Sequence, residues 1–169
     1  MISVVSLFDD LADGVYTLAF RLLRDRHLAE DAVQETFLAI LRGRAPYRGD
    51  GPIAAWVYRI GYHQTIAISR RRRDVATESE ALARIDDRTS PPADAAALER
   101  ELARKLDLAI NGLNPTLRAA FVLRDIEELS TREVAEILEL SESATKMRLA
   151  RARAELRDQL EGYLSEAHV

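Results

Sequence analysis

From Leu7 onward the apolar residues of this chain recur at steps of three and four, and nowhere do they alternate strictly with polar ones. That spacing stacks side chains on one face of a helix, so the whole chain is expected to be all-α, without strands. Leu7, Leu11, Val15, Leu18 and Leu22 mark a first helix, with Asp13-Gly14 weakening its middle and offering a point of division into two. A second helix is predicted over about 28–41, with Ala32, Val33, Phe37, Ile40 and Leu41 inward and Glu30, Asp31, Gln34 and Glu35 outward. Three glycines and two prolines in residues 43–52 mark a loop. A third helix follows over about 53–73, carrying Trp56, Val57, Ile60 and Ile66.

Residues 74–96 break the pattern. They hold no sustained apolar period, carry six acidic residues against two basic ones, and contain Thr89-Ser-Pro-Pro92. A stretch this long without a period is uncommon inside a compact domain. It is expected to be an acidic flexible linker. Two small helical domains result, 1–74 and 97–169, with 75–96 between them. In the second, Leu98, Leu102, Leu106, Ala109 and Leu113 mark a helix, and Asn114-Pro115 restarts the chain with Asn as N-cap and Pro at the first helical position.

Ser130-Thr-Arg-Glu133 has the spacing of a capping box, in which Ser accepts from a free backbone N–H and Glu reaches back to the cap. The short helix it opens offers Val134, Ala135, Ile137 and Leu138 for packing. Leu140 and Ser141 fill a turn, and a long helix then runs to about residue 160 with Leu149 and Leu156 buried. Small Ala135 suits the close crossing of a helix-turn-helix. Rotation leaves Lys146, Met147, Ala150, Arg151 and Arg153 near the outward face, where basic side chains can meet guanine edges or phosphates in a major groove. The competing reading is a helical hairpin with a solvated basic face.

Net charge is −4 overall, which argues against nucleic acid until it is divided along the chain. Residues 1–73 carry 11 basic against 8 acidic residues, and residues 97–169 carry 11 against 14. Yet residues 143–157 hold Lys146, Arg148, Arg151, Arg153 and Arg157 against the single acid Glu155. A phosphate backbone senses charge within a Debye length, so the local excess is what counts.

Other functions are disfavoured. The chain has no cysteine, so disulfides and thiolate metal sites are excluded. His27, His63 and His168 are far apart with no ligands grouped at metal spacing, and no phosphate-cradling glycine loop or nucleophile motif is present. No cofactor and no enzymatic activity are expected. No apolar run approaches the roughly 20 residues that span a bilayer, and MISVVSLFDD lacks the basic start of a signal peptide. A cytoplasmic protein with no direct membrane insertion is expected.

Three segments of the first half, Asp31-Ala-Val-Gln-Glu-Thr-Phe37, Tyr47-Arg-Gly-Asp-Gly51 and Trp56-Val-Tyr-Arg-Ile60, resemble the N-terminal domain of bacterial sigma factors of the extracytoplasmic-function group. Phe121-Val-Leu-Arg-Asp-Ile126, Leu129-Ser130, Glu133-Val-Ala-Glu-Ile-Leu138 and residues 146–153 resemble that group's C-terminal domain. The resemblance covers about residues 16–73 and 113–157, in order. It implies a factor that directs core RNA polymerase to promoter DNA. Asp31, Gln34 and Glu35, with Phe37 beneath them, would dock on the clamp helices of the largest polymerase subunit, and the flap would be a further polymerase contact. The loop 47–51 and the following helix would melt and read the −10 element, with Tyr47, Arg48, Asp50, Trp56, Arg59, His63 and Arg70 as the DNA-binding set. Arg124, Lys146, Met147, Ala150, Arg151 and Arg153 would contact the −35 element. The linker would lie in basic channels of the polymerase, and an anti-sigma factor would hold the protein inactive. Without cysteine in this chain, any thiol sensing would belong to that partner.

Several readings stay open. Trp56 is either a wedge in the DNA or part of the core. The run 70–73 either faces phosphates or satisfies a helix C-terminus. His63 and Ala67 stand where the group commonly has Asn and Asp, so the promoter sequence does not transfer. Glu139 occupies a turn position usually held by Gly, which costs about 1–2 kcal/mol if the residue is left-handed, unless the turn has shifted. Glu142 and Ala144 also depart from the usual start of the reading helix. Two alternative functions are a stand-alone helix-turn-helix regulator and a sigma mimic that sequesters an anti-sigma protein.

Overall fold

The computed structural model describes residues 3–76 and 97–166. Every regular element among them is helical, and the chain divides into two compact units, Met1–Asp86 and Asp87–Val169. The linker expected over 75–96 lies outside the described residues, apart from 75 and 76, which extend a helix.

The first unit is a three-helix packing of α1 (Val4–Leu23), α2 (Arg26–Leu41) and α3 (Ile53–Ala76). Asp13-Gly14 does not divide α1. A glycine inside a helix costs about 1 kcal/mol relative to alanine, and the burial of Leu7, Val15 and Leu18 on either side outweighs it. Two residues turn α1 into α2. Arg24 adopts the left-handed conformation (φ 54°) and its N–H donates to the Phe20 carbonyl at 2.7 Å, while the Asp25 carboxylate caps α2 by accepting from the Leu28 N–H at 3.0 Å. Arg72 of α3 donates to the Leu23 carbonyl at 2.7 Å. Part of the arginine run therefore closes a helix C-terminus, although it is that of α1 and not its own. Arg70, Arg71 and Arg73 are exposed.

The helices meet closely because small residues sit where they cross. A Cβ on Gly61 would stand 2.9 Å from Cγ1 of Val15, so α3 approaches α1 at a distance only glycine allows. Two threonines are fully buried near these crossings. Each hydroxyl donates to a carbonyl of its own helix, Thr36 to Ala32 at 2.6 Å and Thr65 to Gly61 at 2.8 Å, so neither leaves an unpaired polar group in the core. Ala19, Leu23, Ala29, Ala32 and Ile68 form one apolar cluster beside them. Leu41, expected inward, is 64% exposed at the last position of α2.

The second unit comprises α4 (Ala97–Gly112), α5 (Pro115–Phe121), a π-helical turn (Val122–Ile126), α6 (Thr131–Leu138) and α7 (Glu142–Glu166). The predicted restart is present: Asn114 Oδ1 accepts from the Thr116 N–H at 3.0 Å, with Pro115 following. Ala109, Ile110, Leu113, Leu117, Ala152 and Leu156 make the core. Only the end of α4 joins it, since Leu98 is 78% and Leu102 52% exposed. A buried arginine that the sequence reading passed over closes the α4–α5 corner. Arg118 donates through Nε to the Ile110 carbonyl (3.1 Å) and through Nη2 to the Asn111 and Leu113 carbonyls (both 2.7 Å). The last carbonyls of a helix lack partners within it, and a cation there also meets the negative end of the helix dipole.

Candidate nucleic-acid interface

The face on α7 is built by the turn that precedes it. Ser130 Oγ accepts from the Glu133 N–H (3.1 Å), and the Glu133 carboxylate accepts from the Ser130 N–H (2.8 Å), so the capping box opens α6 as the residues predict. Glu139 ends α6 in the left-handed region at φ 56° and ψ 45°, so the turn has not shifted and the non-glycine strain is real. The Leu140 N–H then donates to the Ala135 carbonyl at 2.9 Å, and Ser141 Oγ caps α7 by accepting from the Ala144 N–H at 3.1 Å. Ala135 is buried at the crossing.

Thr145, Leu149, Ala152 and Leu156 bury one side of α7. On the opposite side Lys146, Met147, Ala150 and Arg151 are all exposed, Met147 at 73%. Arg124 is half-buried in the π-helical turn. Arg153 is exposed but engaged. Its Nε and Nη2 donate to the two carboxylate oxygens of Asp125 at 2.9 and 2.7 Å, a bidentate pair that the sequence reading did not foresee. The hydrogen bond to Asp125 raises the Arg153 pKa above its already high ordinary value, opposed by desolvation and helped by the charge of Asp125. Glu142 is exposed in the first turn of α7, where an acid suits the positive end of the dipole.

In the first unit the loop before α3 turns on three glycines with positive φ, Gly43, Gly49 and Gly51. Tyr47 ties it down: its hydroxyl donates to the Gly51 carbonyl at 2.6 Å, and its ring lies 5.3 Å from that of Trp56. Trp56 is half-buried, so it is not a fully buried core residue, and it packs against the loop tyrosine. Arg48 and Asp50 are exposed at the loop tip, and Arg59, His63, Ala67 and Arg70 are exposed along α3 at helical spacing. On α2, Asp31, Gln34 and Glu35 are exposed while Phe37 is buried beneath, edge-on to Phe8 with ring centroids 4.9 Å apart. Among the described residues no group of three or more potential metal ligands occurs, and no helix is long and apolar enough to cross a membrane.

Two family profiles match the chain, one described as Sigma-70 region 2 over residues 7–75 and one as Sigma-70 region 4 over residues 103–156. The chain is 32% identical to the ECF RNA polymerase sigma factor SigM of Mycobacterium tuberculosis over 152 residues, covering 89% of this chain and 73% of that one. This chain belongs to the extracytoplasmic-function (ECF) group of RNA polymerase sigma factors. The sigma factor is also 36% identical over 158 residues to the ECF RNA polymerase sigma factor SigE of Mycolicibacterium smegmatis, matching 92% of its own length but spanning only 60% of that relative. Its fold is that of the sigma factor RpoE of Bartonella quintana, solved with the anti-sigma factor NepR, at a TM-score of 0.78 and 22% identity over 92% of this chain and 95% of that one. The group comprises transcription-initiation factors and not enzymes.

Proposed function

We propose that this sigma factor binds core RNA polymerase in the cytoplasm and brings it to promoters through two DNA-reading faces, one on each helical unit. The observation that carries this reading is the stripe Lys146, Met147, Ala150 and Arg151, fully presented on α7 while the opposite side of the helix is buried. With Arg124 it forms a face that enters the major groove of the −35 element. Tyr47, Arg48, Asp50 and Trp56, with Arg59, His63 and Arg70 along α3, engage the −10 element, where aromatic rings stack on unpaired bases and the basic residues hold phosphate. Asp31, Gln34 and Glu35 over Phe37 dock on the clamp helices of the largest polymerase subunit, and the second unit meets the flap. The domain limits 1–74 and 97–169 divide these tasks, and the acidic segment between them occupies basic channels of the polymerase.

An anti-sigma protein covers these faces when the factor is idle, as the fold shared with a sigma factor solved in such a complex supports. Glu139 and Glu142 keep the intrinsic −35 affinity modest. Tethering to the polymerase raises the effective concentration of the second unit, by an amount that reaches about millimolar for short links.

Run-off transcription with purified core polymerase and this chain tests the reading. The expected result is promoter-dependent transcripts whose 5′ ends share upstream −10 and −35 sequences. Binding to DNA without polymerase, and no transcript with it, would instead make the chain a stand-alone regulator. Binding to neither would leave a sigma mimic.

A further inference from the structure

Arg153 belongs by charge to the basic set of α7, yet its geometry sets it apart. It stands at the border of the exposed stripe, and its guanidinium fork meets both oxygens of Asp125, 28 residues earlier in the chain. Two parallel charge-assisted bonds fix direction as well as distance. Asp125 lies in the π-helical turn, where the Glu127 N–H reaches back five residues to the Val122 carbonyl at 2.9 Å. One extra residue in a helical turn displaces everything after it by about 100° around the axis, and such turns frequently occur at functional sites. Here the turn contains both Arg124 and Asp125 and ends two residues before Glu128, which is held at a positive φ of 59°. The chain then passes through Ser130, α6, Glu139 and Ser141 into α7. The Asp125–Arg153 pair closes that path into a ring: it joins the segment that feeds α6 to the middle of α7.

A ring of this kind fixes how α7 crosses the rest of the unit, and so which bases Lys146, Met147, Ala150 and Arg151 meet. Asp125 also offsets the charge of Arg153, which would otherwise be attracted to any phosphate. We propose that Arg153 is a positioning residue for −35 discrimination, acting through Asp125 to hold the reading helix in register, and not a DNA contact in its own right. This rests on the assignment of α7 as the −35 reader.

Holoenzyme formed from core polymerase and the full chain is titrated with fluorescent promoter DNA carrying either an intact or a scrambled −35 element. The ratio of the two affinities is the readout. If the unsubstituted chain shows no preference, the assignment of α7 fails, whatever Arg153 does. Given a preference, Arg153→Lys and Asp125→Asn separate positioning from contact. Lysine keeps the charge and holds a phosphate well, but it lacks the fork. A positioning role predicts that both variants lower the preference roughly tenfold, the range of coupling between contacting residues. It also predicts that Asp125→Asn combined with Arg153→Lys is no worse than the more damaging single change.

A direct phosphate contact predicts other results. Arg153→Lys would keep the wild-type preference, and Asp125→Asn would tighten binding to both DNAs by freeing the cation, with a steeper salt dependence by about one phosphate. Either of these, or an unchanged preference in either variant, overturns the proposal. If Asp125→Asn loses its thermal transition, Asp125→Glu takes its place; it keeps the charge but shifts the fork by one methylene, and the same loss of preference is expected.

Discussion

The first helical unit relies more on shape, with directed bonds at its α1–α2 corner, and the second relies more on directed polar bonds around its core. In the first, Gly61 lets α3 touch Val15, buried Thr36 and Thr65 satisfy themselves within their own helices, and the outward residues of α2 and α3 follow from where the crossings fall. In the second, Arg118 closes the α4–α5 corner, the capping box opens α6, and Asp125 grips Arg153. The difference follows from size and task. The first unit has three long helices to interdigitate, whereas α5 and α6 span only 7 and 8 residues and cannot fix an orientation by packing alone. Where short helices such as α5 and α6 must hold the long α7 at a set angle, hydrogen-bond geometry supplies the direction that dispersion forces lack.

The sharpest way to break this contrast is Arg118→Ala. The substitution takes the arginine's bonds from the Ile110, Asn111 and Leu113 carbonyls, of which that of Ile110 keeps the Leu113 N–H as a donor at 3.1 Å. Removing a charged donor from such partners costs about 3 kcal/mol, a large share of what a domain of this size holds. Calorimetry on the full chain should show the transition of the second unit lost or strongly lowered and that of the first unmoved. A shift below about 1 kcal/mol would show that packing, and not the arginine, holds the corner.

The matching change in the first unit is Gly61→Val. The Cβ alone would meet Val15 at 2.9 Å, and a branched side chain adds bulk at the same contact. Overpacking of this kind costs about 2 kcal/mol. Here only the transition of the first unit should fall. If Gly61→Val is neutral, the α1–α3 crossing is looser than the contact implies and the first unit is not held by shape.

What was legible in the sequence was what is local. The Asn114-Pro115 restart and the capping box at Ser130 each spend their chemistry within four residues, so spacing alone reveals them. Glu139 stands where the family that the chain resembles usually has Gly, so the resemblance and not local spacing points to this turn, and the left-handed conformation is there. The misses have two causes. Local rules applied to Asp13-Gly14 and Leu41 give way to tertiary context: neighbours buried along α1 keep it whole, and Leu41 at the end of α2 is exposed. Arg118, Gly61 and the Asp125–Arg153 pair act across the fold. No periodicity marks a glycine that matters only because Val15 lies opposite, nor an arginine whose partner is 28 residues away.

Ser130→Ala gives a smaller effect on the same axis. Loss of the N-cap hydroxyl frees the Glu133 N–H and costs about 1 kcal/mol. Because α6 aims α7, −35-dependent transcription should fall more than stability does, by comparison with an extended −10 template. Equal losses on both templates would make the capping box a matter of stability alone.

The smallest change runs in the opposite direction and uses both units at once. Glu139 and Arg24 end their helices in the same left-handed conformation, at φ 56° and 54°. Relief of that strain is worth about 1–2 kcal/mol. The greater freedom of glycine in the unfolded chain takes back about 0.4–1 kcal/mol. Backbone terms alone therefore give both Glu139→Gly and Arg24→Gly the same net gain, about 0.8 kcal/mol. The side chains part them. Glu139 places a negative charge at the negative end of α6, so its removal adds to the gain, whereas Arg24 places a positive charge at the same end of α1, so its removal subtracts. Thermal unfolding should rank Glu139→Gly as stabilising and Arg24→Gly as near neutral. The reverse order would mean that the Glu139 carboxylate makes a favourable contact of its own, and that the departure from glycine at this turn was no concession.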